Sequence, residues 1–270
     1  MNKLTREDLI VLLSERNETK YAAALNELRN IGNSNLAVTK MYGYSVGDDL
    51  VIVYHYCFDG CHFYFEISDF NNLIYFYNEI ESIMKSAKEI LFSSDSPDIF
   101  QNSQFINLFG KHDIIKQESF GMLSPVISHE RDKNIRRLTI EDEKIVSAFY
   151  EPLRQYRDNL KNAFETRIKT NDKNCIIYAY IDNETDILGY LIVDTFDGYY
   201  WDISYIYVSE NSRGKGIAKK LAAFYANDVI ENGYFASYGV PENEDSKKVA
   251  VSVGFEMFER RYFTQWMLQK

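Results

Sequence analysis

Residues 208–221 read VSENSRGKGIAKKL and contain one arginine, three lysines and two glycines, where an apolar strand (203–208) gives way to a helix. The whole chain has a formal net charge of −10, so this positive charge is a local feature. A helix N-terminus exposes unpaired N–H groups and a partial positive charge, and glycines let an anion approach the backbone. The pattern predicts a phosphate site around Arg213, Lys215 and Lys219. The alternative is a surface helix with ordinary lysines after a glycine-bearing turn.

Two better-known nucleotide motifs do not fit this stretch. The chain has no G-x-x-x-x-G-K-[ST] sequence, which a P-loop requires. The dinucleotide pattern G-x-G-x-x-G fails because Lys219 stands where its third glycine belongs. The anion site therefore needs a different structural context.

The second half of the chain predicts the element order α-α-β-β-β-α-β-α-β. Thr139 followed by Asp142 resembles a capping box at the start of the first helix, and Pro152 suits the first turn of the second. Turn residues separate three strand runs, which favours an antiparallel meander. The predicted strands are 175–181, 187–196, 199–208, 235–240 and 256–268, and the later helices are 214–231 and 244–253.

The first half predicts a similar order, beginning with Thr5 followed by Asp8. Its predicted helices are 6–15, 19–29, 71–88 and 99–109, and its strands are 36–42, 49–57, 61–68, 89–92 and 114–126. We interpret this as an internal duplication with domains at 1–127 and 134–270 and a linker near 128–133. The alternative is an unrelated α+β domain that shares a common element order.

The second half also resembles a known family. The run Arg213-Gly-Lys-Gly-Ile-Ala218 matches the Q/R-x-x-G-x-G/A phosphate loop of the GCN5-related N-acetyltransferases (GNAT), five residues beyond Val208. Asn243-Glu-Asp-Ser246, followed by Gly254-Phe255, resembles the family's N-x-x-S/A…G-F signature. The resemblance covers about 135–270 and implies an α/β (α+β) fold. With the duplication, it predicts tandem GNAT-like domains, each a mixed, mostly antiparallel sheet flanked by helices, the first of them degenerate.

The resemblance implies acetyl-CoA as co-substrate, held in a wedge between the fourth and fifth strands. The backbone of Ile206, Tyr207 and Val208 would then pair with the pantetheine arm. Asn243 would contact the cofactor near its pantetheine, and Ser246 either does the same or caps the short helix. The implied pyrophosphate cradle consists of Arg213, Gly214, Lys215, Gly216, Ile217, Ala218 and Lys219.

The same resemblance suggests catalytic residues. Asp202 stands six residues before Val208, where several family members carry a glutamate that acts as general base through water; the alternative is an exposed carboxylate at a strand end. Strand alternation predicts that Asp202, Ser204, Ile206 and Val208 share one face. Many members carry a tyrosine as general acid where this chain has Ala250. Tyr238 is a candidate substitute, or an aromatic residue that lines the cleft.

The stretch HYCFDGCH (55–62) contains two histidines and two cysteines, which are possible ligands of a metal ion. A two-residue turn at Asp59-Gly60 would place Cys57 opposite His62 and turn Cys61 to the other face, so that four ligands could not converge. We therefore predict no metal site. The first half carries SDFNNLI (68–74) where a phosphate loop would stand, so we expect no acyl-CoA site there.

The composition of the chain argues against several classes of protein. Hydrophobic residues make up 46% of the chain, enough for a large core, while the acidic balance argues against broad binding to nucleic acid or an anionic membrane. Three cysteines are too few for a disulfide scaffold, no apolar run approaches a membrane span, and we expect a soluble cytoplasmic protein. The predicted function is acetyl-CoA-dependent N-acetylation of a small amine or amino-acid-like acceptor by direct transfer in a ternary complex. The alternative, which Ala250 favours, is a non-catalytic acyl-CoA sensor or interaction module.

Overall fold

A computed structural model describes residues 1–17, 20–31, 38–57, 59–122, 132–150, 159–195 and 200–267. The chain divides into two compact units: unit 1 comprises residues 1–118 and 259–270, and unit 2 comprises 119–258. The predicted linker at 128–133 falls largely outside the described residues, and the predicted domain boundaries stay a prediction. Within the described residues, no helix is long and apolar enough to cross a membrane.

The first half of the sequence forms six strands and five α-helices among its described residues. They are β1 (Asn2–Leu4), α1 (Arg6–Asn17), α2 (Ala22–Asn30), β2 (Val38–Val46), β3 (Asp49–Tyr56), β4 (Gly60–Glu66), α3 (Leu73–Ser86), β5 (Glu89–Ser94), α4 (Asp98–Gln101), α5 (Ser103–Phe109) and β6 (Ile115–Met122). The single helix predicted over 99–109 is two helices, because Asn102 adopts an extended backbone and its side chain caps α5 by accepting from the Gln104 amide.

The second half repeats the order. Its elements are β7 (Ile135–Arg137), α6 (Glu143–Ala148), α7 (Leu160–Ala163), which continues as a π-helix (Phe164–Ile168), β8 (Cys175–Asp182), β9 (Asp186–Asp194), β10 (Tyr200–Val208), α8 (Ile217–Glu231), β11 (Phe235–Gly239), α9 (Glu244–Val253) and β12 (Glu256–Met267). Residues 151–158, where Pro152 predicts the start of a helix, lie outside the described residues. The two edge strands β1 and β7 are too short to show a periodic pattern, and the sequence analysis missed them.

Local signals start the first helix of each half. The Thr139 amide donates to Asp142 Oδ2 at 2.8 Å in a complete capping box, and the Thr5 amide donates to Asp8 Oδ2 at 2.8 Å. Both capping predictions are confirmed. A Thr side chain and an acid three residues on satisfy N–H groups that a helix start leaves unpaired, which is why this signal can be read without tertiary context.

Each unit is a mixed, mostly antiparallel sheet with an apolar core on both faces. In unit 1, β1 to β4 are antiparallel neighbours and β5 lies parallel to β4; in unit 2, β7 to β10 and β11 repeat this arrangement. In unit 2, α8 and α9 cover one face, which we call the α8 face, and α6 and α7 cover the other, the α6 face. In unit 1, α3 and α5 cover one face, and α1 and α2 the other.

The last strand of each sheet comes from the other half of the sequence. In unit 1, β5 pairs antiparallel with Tyr262–Met267 of β12. In unit 2, β11 pairs antiparallel with Phe120–Met122 of β6. A Cβ at Gly121 would overlap the Phe235 ring and lie 2.9 Å from Phe258, so only glycine allows β6 to approach here.

The hairpin at HYCFDGCH has a different register from the predicted one. His55 pairs with Cys61, and Tyr54 with His62, which is not the register that the predicted two-residue turn would give. Asp59 is left-handed (φ 62°). The predicted faces were therefore wrong: His55 and Cys61 share one face, and His62 lies on the other. Among the described residues, no group of potential ligands could hold a metal ion.

Candidate functional site

The strands β10 and β11 separate partway along their length. They form three parallel pairs, from Tyr200–Phe235 to Asp202–Ser237. Beyond that point residues 203–208 pair only with β9 among the described strands, so the other backbone edge of β10 has no strand partner. The corresponding strands in unit 1 do not separate: β4 and β5 stay paired over six residues, Gly60–Phe65. Unit 2 therefore contains a wedge that unit 1 lacks.

A β-bulge in β10 corrects the prediction about strand faces. The register with β9 shifts between Ile203 and Tyr205, so one extra residue, Ser204, reverses the alternation. Ile206 and Val208 pack on the α8 face, together with Ile203, whereas Tyr207 packs on the α6 face. Asp202 therefore does not share a face with Ile206 and Val208. Alternation cannot reveal a bulge, since it assumes a regular strand.

The predicted phosphate loop stands at the open end of this wedge. Gly214 and Gly216 are left-handed (φ 77° and 75°), and Gly216 is the N-cap of α8. A Cβ at either glycine would meet nothing within 4 Å, so backbone conformation rather than space favours glycine. Among the described residues, no side-chain cap hydrogen bond is made at the start of α8. Arg213 is exposed and donates from Nε to the Val208 carbonyl at 3.3 Å.

The corresponding helix of unit 1 begins differently. Asp69 accepts from the Asn71 amide at 3.0 Å, and buried Asp49 accepts from the Ser68 amide at 2.6 Å and from Asn72 Nδ2 at 2.8 Å. Burial alone would raise the pKa of Asp49, but these hydrogen bonds, with those from the Ser68 hydroxyl and the Asp69 amide, hold it below its usual value. Carboxylates of the chain thus accept from amides of the 3-10 turn (Phe70–Asn72) that leads into α3, although α3 itself, like α8, has no side-chain cap in the described structure.

Asp202 lies at the apex of the wedge and faces α6 and α7. Its strand neighbours on that face are Asp194 and Ser237. Asp202 Oδ1 is inaccessible to solvent and has no hydrogen-bond partner in the described structure. Burial raises the pKa of Asp202 to about 7; a hydrogen bond with Ser237 opposes the shift, and the Asp194 charge adds to it. The structure does not support the alternative of a fully exposed carboxylate, and the arrangement suits a group that exchanges a proton near neutral pH.

Tyr238 lies on the opposite face of the same strand pair. Its side chain is 3% exposed, and its hydroxyl lies 3.1 Å from Ser246 Oγ. Burial raises the pKa of Tyr238, partly offset by Ser246. The helix α9 is capped by Asn243, whose Oδ1 accepts from the Ser246 amide at 2.9 Å, so Ser246 is not the cap. Ala250 is fully buried in the core of the α8 face.

The sequence does not predict the ion pair between Arg167 and Asp194, the residue opposite Asp202 on β9. Arg167, in the π-helix after α7, pairs with Asp194 Oδ1 at 2.5 Å and with Asp172 Oδ2 at 3.2 Å. The predicted strands 187–196 and 199–208, joined by a two-residue turn, would place Asp202 opposite Val193, so the observed opposition of Asp194 and Asp202 does not follow from them. The approach of Arg167 depends on a π turn that has no sequence signal.

A cavity of about 350 Å³ opens in unit 2 beside the end of β10. Tyr207, which packs on the α6 face, contributes to its wall, so the cavity lies on the side of the sheet that Asp202 faces. The lining includes three aromatic residues, Phe149, Tyr150 and Tyr207, and two carboxylates, Asp186 and Glu210, together with apolar and neutral polar side chains. The volume suits a small molecule, and two carboxylates beside aromatic rings are chemistry that favours a cation.

Comparison with known proteins agrees with this geometry. Residues 137–255 match the model of the Acetyltransferase (GNAT) family. No curated protein matches the chain.

Several solved structures share the whole fold. A Drosophila protein superimposes with a TM-score of 0.58 at 12% identity, over 99% of each chain. An acetyltransferase of the GNAT family from Colwellia psychrerythraea gives 0.54 at 16% identity, over 98% of this chain and 100% of its own. A tandem GNAT protein from the clavulanic acid biosynthesis pathway gives 0.53 at 15% identity, over 99% and 98%. The predicted tandem GNAT-like fold is confirmed.

Proposed function

The chain carries a domain of the GNAT acetyltransferase family at residues 137–255, and on that premise we propose that the protein transfers the acetyl group of acetyl-CoA to the nitrogen of a small amine or amino-acid-like acceptor, with both substrates bound together. One observation carries the proposal: the wedge between β10 and β11 opens onto a helix start that no side chain caps. An elongated ligand with a phosphate end matches such a surface. No cysteine of the described wedge offers a covalent route, since Cys175 lies on β8 in the core of the α6 face.

The residues of the wedge fit acetyl-CoA. The free edge of β10 at Ile206, Tyr207 and Val208 offers backbone groups to the amides of a pantetheine arm. The amides at the start of α8, between Gly214 and Lys219, would hold the pyrophosphate with help from Arg213 and Lys215. Asn243 and Ser246, at the start of α9, are proposed to line the same arm. When bound, acetyl-CoA supplies an activated thioester.

Two side chains of the protein are placed to accept and donate the protons that acetyl transfer requires. Asp202, with a pKa near 7, is partly ionised at neutral pH and accepts a proton from the acceptor's ammonium or amine, through water where the distance requires it. Tyr238 holds a proton at its hydroxyl on the opposite face, where the Ser246 hydroxyl orients it. We assign Asp202 as general base and Tyr238 as general acid.

Binding of CoA to the purified full chain tests the assignment of the loop. The change Arg213→Glu/Gly216→Glu places two carboxylates beside the pyrophosphate position, and we expect it to abolish binding measured by isothermal titration calorimetry. The matched control Lys85→Glu/Ser86→Glu changes the net charge equally at the exposed end of α3 in unit 1. Unchanged affinity in the loop variant refutes the site. Wild type should bind one CoA per chain, because unit 1 has no wedge.

A second candidate function is an acyl-CoA sensor without turnover. It is favoured by Ala250, which cannot donate a proton and is fully buried. A thiol-release assay on a panel of amines and amino acids separates the two functions. Tight acetyl-CoA binding without CoA release on any acceptor favours the sensor, whereas release that requires an amine establishes the transferase.

A further inference from the structure

Four strands place a row of side chains on the α6 face at the apex of the wedge. Cys175 of β8 is opposite Asp194 of β9, Asp194 is opposite Asp202 of β10, and Asp202 is opposite Ser237 of β11. Side chains directly opposite each other in adjacent strands lie on the same face, about 5 Å apart at their Cβ atoms. Two half-buried carboxylates are therefore neighbours on this face.

Within the part of the chain that the structure describes, one of these two carboxylates, Asp194, has a cationic partner. Arg167 donates from Nη2 to Asp194 Oδ1 at 2.5 Å and to the Asn174 carbonyl at 3.3 Å, and from Nε to Asp172 Oδ2 at 3.2 Å. Its side chain is 19% exposed, so the pair is only weakly screened by solvent. Asp202 has no such partner, and its Oδ1 accepts no hydrogen bond within the described structure.

The π-helix positions the Arg167 side chain next to Asp194, one member of this row of side chains. The Lys169 amide bonds to the Phe164 carbonyl five residues earlier, which widens this turn relative to an α-helix, and the Asp172 amide then bonds to the Arg167 carbonyl. Such single π turns are uncommon and occur frequently at functional sites. The turn directs the guanidinium toward the strand ends rather than along the helix surface.

We propose that Arg167, acting through Asp194, sets the proton affinity of Asp202 and thereby the pH at which the acceptor nitrogen is deprotonated. Arg167 and Asp194 are positioning residues, since neither is assigned a contact with the reacting atoms. This inference rests on the proposed function in that it takes Asp202 as the base. An ionised Asp194 disfavours a second negative charge on Asp202, and Arg167 cancels part of that repulsion.

The sign of each perturbation follows from the groups that surround Asp202. Among the described residues, the charged groups near Asp202 on this face are Asp194, Arg167 and Asp172, and Ser237 is its uncharged neighbour on β11. The other titratable groups of this face are the Cys175 thiol and the phenols of Tyr190, Tyr205 and Tyr207. Glu143 of α6 pairs with Lys169. Removing the Arg167 charge leaves Asp194 uncompensated and raises the pKa of Asp202. Removing the Asp194 charge lowers it.

Two single changes test this coupling: Arg167→Gln and Asp194→Asn. We expect the acidic limb of the kcat/KM profile, which reports the free enzyme's base, to move to higher pH in Arg167→Gln and to lower pH in Asp194→Asn, by about one pH unit each. Arg167→Lys keeps the charge and should remain close to wild type. The control Arg136→Gln breaks the Arg136–Asp142 pair, also 2.5 Å long and in the same unit but on β7, and should leave the limb in place.

A second readout does not depend on turnover. Titration of ¹³C-labelled aspartate carboxyls by NMR, with Asp202→Asn used to assign the Asp202 signal, follows Asp202 directly in the full chain. Opposite shifts in the two variants support the coupling even if no acceptor is acetylated, in which case the proposed function alone fails. An Asp202 signal that moves in neither variant, or in the same direction in both, overturns the coupling even where wild type acetylates amines. If Arg167→Gln does not fold, Asp194→Asn and Arg167→Lys test the same coupling. The pH at which the Asp202 signal titrates should fall in Asp194→Asn and stay close to wild type in Arg167→Lys.

Discussion

Burial of Asp202 implies that ionising this residue costs the protein stability. Its pKa of about 7 in the folded chain stands well above the ordinary value of 3.8. The unfolded chain therefore releases the Asp202 proton at a lower pH than the folded chain. Between about pH 4 and pH 7 the folded state holds more protons, and its stability must fall as the pH rises through this window.

The size of the effect follows from the shift. A difference of about three pKa units corresponds to about 4 kcal/mol, which is fully lost only above pH 7. Asp202→Asn removes this ionisation while keeping the size of the side chain. We therefore expect the variant to gain up to about 4 kcal/mol relative to wild type between pH 4 and pH 8, whatever its absolute stability at pH 4.

Urea unfolding of both proteins at pH 4.5, 6 and 8 measures this difference, followed by far-UV circular dichroism and tryptophan fluorescence. Asp186→Asn, an exposed aspartate at the start of β9, serves as the control and should track wild type at every pH. If the free-energy difference between wild type and Asp202→Asn stays constant over this range, Asp202 titrates normally, and its assignment as a base poised near neutrality is wrong. A gain confined to low pH would contradict the sign of the shift.

Three further changes test other parts of the structure. Asp49→Asn should destabilise unit 1 by about 1–3 kcal/mol at pH 7, as measured by urea unfolding; because the pKa of Asp49 is depressed, the deficit should shrink below pH 4. Gly121→Ala forces a methyl group into the Phe235 ring, and a lowered melting temperature, equivalent to about 1–3 kcal/mol, is expected. Tyr238→Phe should lower kcat without changing the calorimetric Kd for CoA; an unchanged kcat would remove Tyr238 from the proton pathway.

Local chemistry explains what could be predicted from the sequence. The Thr139–Asp142 capping box and the helix at 244–253 agree with the structure, because caps, periodicity and turn glycines act within a few residues. The helix predicted from residue 214 starts at Ile217, since Gly214 and Gly216 are both left-handed and cannot join the helix. The glycine-rich loop itself stands where the pattern predicted it, after an apolar strand.

Tertiary contacts decide the features that the sequence analysis missed. The bulge at Ser204 and the register of the hairpin at 55–62 depend on how each strand meets its partner, which alternation within one strand does not encode. The pairing of β6 with β11 and of β12 with β5 joins residues more than a hundred positions apart in sequence. Arg167 reaches Asp194 through a π turn for which no residue pattern is known.

The two halves show how one fold can either satisfy its own polar groups or leave them for a ligand. Backbone N–H and C=O groups without partners destabilise a folded chain when they are withdrawn from water. Unit 1 avoids this, because β4 and β5 pair over six residues and Asp49 and Asp69 accept from amides of the turn that leads into α3. Unit 2 has the same element order yet leaves the edge of β10 open and α8 uncapped. Unit 1 shows that this fold can satisfy the polar groups at both places. We therefore explain the open edge of β10 and the uncapped start of α8 by a ligand that binds to both. Such a ligand has groups that pair with backbone amides along its length and an anion at its end.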